Sequence, residues 1–428
     1  MSDSQKQNTS NTEKQLEALE TIKKKLLGKK LSYSEIFNLM DELSHERLDP
    51  ILTTYFVAAG FKEGFSHTEL YYLTKAMADT GTKLHFHGIV ADKHSTGGVA
   101  GTRTTMILVP IVAAAGFLIP KNSSRAITTP AGTADTMEVL SPVMFTPEQI
   151  TKIVEKVGGC IIWGGHLGLA PADDILIRVE APLAFESFDK IIVSIMAKKI
   201  ASGSTHLVLD LPVGSTLKIR HLRDAELIAE KFRYIAGKFN IKIDIDINQI
   251  FEPAGHGVGP GLEAQDVLKV LEQRPDRPVS LEAKSLRLAG KLLDLCFAST
   301  KNKEKESGEE VATKLLRSGK ALSKMREIIK AQGGDPDITI EKIPLSEFRY
   351  ELPSTKTGRV TGFNNHNLTS IAKILGCPAN KKAGIRLEKR IDEKVDKNDT
   401  LCVLYSSDKW RLAEAKDTLE HFPIFQIE

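Results

Sequence analysis

The stretch DKHSTGGVAGTRTTM, Asp92 to Met106, gathers a lysine, a histidine, several hydroxyls and a glycine pair around one turn. Gly97 and Gly98 allow backbone to approach a bound group closely. The apolar run that follows reads as a helix, whose first N–H groups and positive dipole end favour an anion. Lys93 supplies a positive charge, and Ser95, Thr104 and Thr105 supply hydroxyls. A phosphate suits this set. The run is not a P-loop, because GxxxxGK[ST] is absent. As a charged side chain at a turn, Lys93 is expected to contribute little to the core. A glycine turn with an exposed lysine is the plainer reading of the same residues.

A second stretch, KNSSRAITTPAGTADTMEVL from Lys121 to Leu140, crowds Ser123, Ser124, Thr128, Thr129 and Thr133 around Arg125, Ala131 and Gly132. DTME, Asp135 to Glu138, has the form of a capping box opening a helix. Such hydroxyls can also serve only their own backbone. Two hydroxyl- and glycine-rich loops after two strands of one sheet would meet at its carboxyl edge, where open α/β folds bind ligands. WGGHLGLAPADDI offers a third close-approach loop, with His166 as a packing, capping or catalytic group. In FESFDKIIVSIMAKKIASG, Ser194 and Lys198 lie four apart and share a helix face, with Ser187 and Ile191 near that side. A solvated basic helix end explains Lys198 and Lys199 equally well.

These stretches need a frame. Residues 1–15 are polar and are expected to be a disordered tail. From 16 to 84 the period is helical: Ile36, Leu39, Met40 and Leu43 share a face after Ser34 as N-cap, and a later helix ends on Gly81. At KLHFHGIVADKHS the period turns to strand. TTMILVPIVAAAG reads as a buried helix bent at Pro110, and FLIP as a strand. This is a βαβ unit and starts a parallel sheet. Further strands are expected at GCIIW, THLVLDL and KIDIDI. The expected division is an α/β domain over 85–170 and 204–342, interrupted by a return to the helical domain over 171–203. TKNKEKESGEE is a charged surface loop, and 343–428 a C-terminal α+β subdomain. The fold class is thus a small all-helical domain plus a larger α/β domain with a mixed, largely parallel sheet.

The chain's 428 residues suffice for two or three domains. Its 58 basic and 55 acidic residues give a net charge of +3, which supports neither a nucleic-acid nor a membrane-surface protein. Cys160, Cys296, Cys377 and Cys402 form no CxxC pair, so zinc-ribbon and thioredoxin-like readings fail and a reduced, cytoplasmic setting follows. The N-terminus lacks an apolar signal core, and no apolar run is long enough to span a membrane.

DKHSTGGV, SSRAITTPAGTADTMEVL and LRSGKALSKMREIIKAQGGDP (Leu316 to Pro336) together resemble the signatures of the thymidine phosphorylase family of nucleoside phosphorylases. The resemblance runs from about Leu16 to the C-terminus. Thymidine phosphorylases read SGRGLxHTGGTxDxLE in the second motif. Ala126, Thr128, Thr129, Pro130 and Ala131 depart from that and agree with the AMP phosphorylase branch, as do WGGHLGLAPADDI and SIMAKK. AMP phosphorylases usually carry a further N-terminal domain, whereas here a short tail precedes the helical unit.

The resemblance implies an active site between a helical and an α/β domain, and a homodimer. It implies phosphate-binding roles for Lys93, Ser95, Gly97, Gly98, Thr104, Ser123 and Thr133. Nucleotide contacts are implied for Gly98, Ser124, Arg125, Ala126, Ile127, Thr128, Thr129, Thr133 and Lys218. Ser194 and Lys198 match base-holding positions, and Arg178 stands near a base-binding arginine. Glu186 falls where the branch places an acidic proton donor, usually Asp; His94 and Lys198 are the other groups that could assist the leaving base, with Lys93 on the phosphate. The implied reaction is attack of inorganic phosphate on the sugar C1 of a nucleoside 5′-monophosphate, AMP first. It releases free base and ribose 1,5-bisphosphate, with no metal or organic cofactor. A thymidine or pyrimidine-nucleoside phosphorylase, a phosphoribosyltransferase and a non-catalytic nucleotide-binding protein remain the alternatives.

Overall fold

The computed structural model describes residues 3–127, 129–165, 167–180, 187–300 and 306–428, with side chains from residue 13 onward. Thr128, His166, Glu186 and the start of the expected charged loop therefore lie outside the described residues. The chain divides into two compact units: residues 1–87, 165–205 and 226–242 form the first, and 88–164, 206–225 and 243–428 the second.

The first unit is helical. Helix Tyr33–Ser44 buries Ile36, Leu39, Met40 and Leu43, the face that the spacing predicts. Its cap is Ser32, not Ser34. Ser32 pairs reciprocally with Glu35, as a capping box requires, whereas the residue three beyond Ser34 is Phe37. Helix His67–Asp79 opens with the same device at Ser66 and Glu69 and is closed by Thr80. Gly81 therefore does not end it. A Cβ there would stand 2.1 Å from the Leu169 carbonyl, so Gly81 lets residues 81 and 169 meet. Helix Asp3–Leu26 occupies most of the segment expected to be a disordered tail; Lys, Glu and Gln suit a helix as well as they suit solvent.

The helical unit takes up its second part, 165–205, close to the 171–203 expected. It also takes residues 226–242, most of helix Leu222–Lys238, which the sequence reading gives to the α/β domain. Aromatic contacts tie that helix to the rest of the first unit: Tyr234 meets His67 at 5.1 Å between centroids, and Phe239 meets Tyr71 at 5.4 Å. Lys231 pairs with Asp189.

The second unit is built on β1 (Ala91–Ser95), β2 (Ile119–Ser123), β3 (Gly159–Trp163), β4 (His206–Val213) and β5 (Lys242–Gln249). β1 lies beside β4, with β5 beyond it; β2 and β3 pair in parallel, and a Val90–Leu118 bridge joins the two groups. The first strand begins only at Ala91, after KLHFHGIV, and the second at Ile119, inside FLIP, running on to Ser123. The buried helix Thr105–Ala114 carries Pro110 inside it. Residues 343–428 contribute antiparallel strands and two helices. They share a hydrophobic core with Ala100 and Val258, so this subdomain belongs to the second unit rather than standing apart. Among the described residues no helix is long and apolar enough to cross a membrane.

Candidate active site

Parallel pairing sets Lys93 opposite Val208, His94 opposite Leu209 and Ser95 opposite Asp210. Lys93 is only 4% exposed and lies in the strand, which overturns the expectation of a lysine at a turn with little part in the core. Its Nζ stands 3.9 Å from Asp210 Oδ2 and 3.5 Å from Thr105 Oγ1. Asp210 also accepts from Lys284 at 3.2 Å, Asn248 at 2.8 Å and Ser95 Oγ at 3.0 Å. Burial pushes the Asp210 carboxyl up, but Lys284 and Lys93 outweigh it and hold the group below the usual range. Burial also pulls the Lys93 ammonium down to about 8, with Lys284 and Arg103 adding to the fall and Asp210 and Asp92 opposing it. A second buried pair, Lys121 with Asp92 at 3.4 Å, lies beside the first on β1 and β2.

These values set a pH dependence. If a charged Lys93 captures phosphate, kcat/KM for phosphate should fall as pH rises through about 8. The fall in kcat should come at higher pH, because bound dianion favours the charged lysine. Rates from about pH 6 to about pH 10, corrected for the ionisation of phosphate itself, test this. A flat kcat/KM across that range would detach the Lys93 charge from phosphate capture.

In the same region of the chain, just after β1 and at the end of β2, the hydroxyls of Thr96, Thr104 and Ser123 are buried without a hydrogen-bond partner. Each such group costs about 1–3 kcal/mol. Three along the ends of β1 and β2 and the start of helix Thr105–Ala114 make a set suited to a missing acceptor. Thr104 stands at the N-cap of that helix and makes no side-chain cap bond. Gly97 and Gly98 have φ of +80° and +89°, and Ser95 Oγ accepts the Gly97 N–H at 3.3 Å. A Cβ on Gly98 would come 3.5 Å from Cγ of Lys218, so Lys218 lies directly against the glycine turn.

The Ser/Thr loop is held by Asp135. Its Oδ2 accepts the Ala126 N–H at 2.6 Å and the Gly132 N–H at 2.9 Å. Asp135 sits at the third position of helix Thr133–Met137 with Gly132 as N-cap, so DTME does not open the helix as expected. The helix starts two residues earlier because the carboxylate reaches back to the backbone. Arg125 binds Asp135 at 3.1 Å, grips both oxygens of Glu138 at 2.7 and 2.6 Å, and faces the Trp163 ring at 4.8 Å. The Arg125 contact pulls the Glu138 carboxyl down to about 2. Thr133 Oγ1 accepts from Arg103 at 3.1 Å, and Thr129 Oγ1 donates to the Ala131 carbonyl at 2.9 Å. Arg103 also binds Glu263 at 2.6 Å and the Ala131 carbonyl at 2.7 Å. Ser124 accepts the Ala134 N–H through its carbonyl, and Ile127 stands exposed.

Ser194 and Lys198 belong to the first unit, on helix Phe188–Ala201. Both reach Asp173 Oδ2, at 2.6 and 2.8 Å. Asp173 is fully buried; burial pushes its carboxyl up, and Lys198 and Lys190 bring it below the usual range. Burial pulls Lys198 down, but Asp173 more than offsets this, and the ammonium is held above its ordinary value. Arg178 is exposed and stands 3.7 Å from Glu46. The sequence reading missed Asp210, Arg103, Lys284, Asp135's backbone role and Asp173. Each is an ordinary charged residue in sequence; Asp210 in LVLDLP carries the one available signal, a lone carboxylate inside an apolar strand.

The helical unit matches the description "Glycosyl transferase family, helical bundle domain" over residues 19–81, and residues 87–322 match "Glycosyl transferase family, a/b domain". Residues 359–422 match "Pyrimidine nucleoside phosphorylase C-terminal domain". An AMP phosphorylase of Thermofilum pendens is 44% identical over 94% of this chain and 77% of its own length. AMP phosphorylase 1 of Archaeoglobus fulgidus is 40% identical over 93% and 78%. A Legionella pneumophila (strain Paris) protein, provisionally named a thymidine phosphorylase, is 41% identical over 95% and 77%. Among solved structures, anthranilate phosphoribosyltransferase from Thermus thermophilus shares the fold, with a TM-score of 0.59 at 17% identity, over 73% of this chain and 99% of that one. The chain belongs to the glycosyl transferase family that joins this helical bundle and α/β domain to a nucleoside phosphorylase C-terminal domain, beside the AMP phosphorylases.

Proposed function

We propose that the protein is a pentosyltransferase that cleaves the N-glycosidic bond of a nucleoside 5′-monophosphate, AMP first, with inorganic phosphate. The observation that carries this is the presence of a buried Lys93 on β1 together with the buried, unpartnered hydroxyls of Thr104 and Ser123, on a chain 44% identical to an AMP phosphorylase. A phosphate oxygen forms the new bond to C1 as the C1–N bond breaks. The bond electrons leave with the base, which takes up a proton. The charge that develops on sugar and base is stabilised by phosphate on one side and by a donor or cation on the other. Lys198 is kept charged by Asp173, which suits it to steady the departing base rather than to give up its proton. Glu186 and His94 are the remaining donors. The reading calls for no metal or organic cofactor.

A homodimer fits the exposed Ile51, Tyr55 and Phe61 on helix Pro50–Glu63, and a cytoplasmic setting fits four buried, unpaired cysteines. A pyrimidine-nucleoside phosphorylase is the second reading, favoured by Ser194 and Lys198 presented together on Asp173. Nucleosides and their 5′-monophosphates, each incubated with and without phosphate and followed by chromatography, decide the matter. Free base should appear only with phosphate. Equal release without it would mean a hydrolase.

A further inference from the structure

Helix Asn365–Ile374 of the C-terminal subdomain starts with two asparagines that act in different directions. Asn364 caps its own helix, accepting the Asn367 N–H at 3.0 Å. Asn365 turns to the glycine turn after β1. Its Nδ2 donates to the Gly98 carbonyl at 2.5 Å, and its Oδ1 accepts the Ala100 N–H at 3.0 Å. One side-chain amide thus binds both edges of the turn, as a neighbouring strand would.

The turn needs such a selector. Gly97, Gly98 and Gly101 have φ of +80°, +89° and +61°, and glycines populate many conformations besides these. Within a trans peptide the C=O and N–H point in opposite directions. By holding the Gly98 C=O, Asn365 sends the Val99 N–H to the side away from the C-terminal subdomain. Ser95 Oγ secures the Gly97 N–H from the other end. The same subdomain also reaches the Ser/Thr loop. Lys373 Nζ donates to the Ile127 carbonyl at 3.3 Å, and Lys381 Nζ lies 3.3 Å from Asp135 and 3.1 Å from Glu138.

We propose that Asn365 is a positioning residue for phosphate capture, through which the C-terminal subdomain sets the geometry of the glycine turn. This rests on the phosphorolytic reading of that turn. The amide supplies no group to the reacting atoms; it selects the backbone conformation that receives the anion, so its effect belongs in phosphate affinity rather than in turnover.

The test is Asn365→Leu, similar in size and without hydrogen bonds, assayed with phosphate and AMP varied separately. Phosphate binding is also measured by calorimetric titration, and stability by thermal melting. KM and Kd for phosphate should rise about tenfold, the worth of one or two hydrogen bonds. The rise in nucleotide KM should be smaller than that for phosphate, and kcat at saturating phosphate should stay within about twofold. Asn365→Asp, which keeps the acceptor for Ala100 but sets an oxygen against the Gly98 carbonyl, should weaken phosphate similarly, and it gives the reading if the leucine variant does not fold. A lowered Tm with unchanged phosphate Kd would make Asn365 merely structural and overturn the inference. Wild-type protein that neither binds phosphate nor needs it would overturn the phosphorolytic reading itself, and this inference with it.

Discussion

Lys93→Met is expected to lower kcat/KM for phosphate by roughly thirtyfold to a thousandfold, about 2–4 kcal/mol, while the protein stays folded. The loss follows from removing the buried cation proposed to meet the phosphate alongside the unpartnered hydroxyls of Thr104 and Ser123. The survival of the fold follows from Asp210, which keeps Lys284 at 3.2 Å, Asn248 and Ser95 after the lysine has gone. Lys93 is itself costly to bury. Its fall from 10.5 to about 8 corresponds to roughly 3 kcal/mol held against folding at neutral pH. That cost is present in full below about pH 8, where both folded and unfolded forms are protonated, and is relieved as pH rises towards the unfolded value of 10.5. The Lys93→Met variant should therefore melt no lower than the parent at pH 7, and the parent's own stability should gain on the variant's between those limits. Phosphate-saturation kinetics and melting curves at two pH values check both halves. An unchanged kcat/KM would make Lys93 a structural partner of Asp210 alone.

Substrate choice carries the second large effect: AMP should be preferred to adenosine by roughly thirtyfold or more in kcat/KM, about 2 kcal/mol. Charge-assisted contacts to phosphate are stronger than neutral ones. Ala126 is small and only half-buried in the Ser/Thr loop, and Lys218 packs against Gly98 with its ammonium as the added charge. Lys218→Ala should then hurt AMP more than adenosine. Competition assays with AMP, adenosine, thymidine and uridine check the order. Faster turnover of thymidine or uridine than of any monophosphate would replace this reading with the pyrimidine-nucleoside one.

The parts legible in sequence were those carried by local pattern. The face Ile36–Leu39–Met40–Leu43, the helix at Thr105, and the strands at GCIIW and THLVLDL follow from spacing and apolar runs. The return of the chain to the helical unit near Pro171 was visible as a helix too strong for a connecting loop. What spacing could not reveal depends on distant partners. Lys93 is buried because Asp210, more than a hundred residues on, lies in the neighbouring strand two residues out of step with it. Ser194 and Lys198 are brought to one point by Asp173, from another helix. Helix Leu222–Lys238 joins the helical unit through rings at 234 and 239 that meet His67 and Tyr71, contacts with no local trace.

The grip of Asp135 on the Ser/Thr loop bears on how this protein could acquire a different specificity. The carboxylate holds the N–H groups of Ala126 and Gly132, and Arg103 holds the Ala131 carbonyl. A loop fastened by its peptide groups keeps its path when many of its side chains are exchanged. Positions 130–132 are the exceptions, since Pro130 and Ala131 are buried and a Cβ at 132 would stand 2.5 Å from the Ser124 carbonyl oxygen. The more open positions 126, 127 and 129 therefore behave as interchangeable sites between fixed anchors. Grafting the corresponding residues of a thymidine phosphorylase there, with Gly132 and Asp135 retained, would alter what the loop touches without asking the surrounding protein to refold. Mutation at those few sites is a short evolutionary route between substrates, and the anchors are where that route is closed.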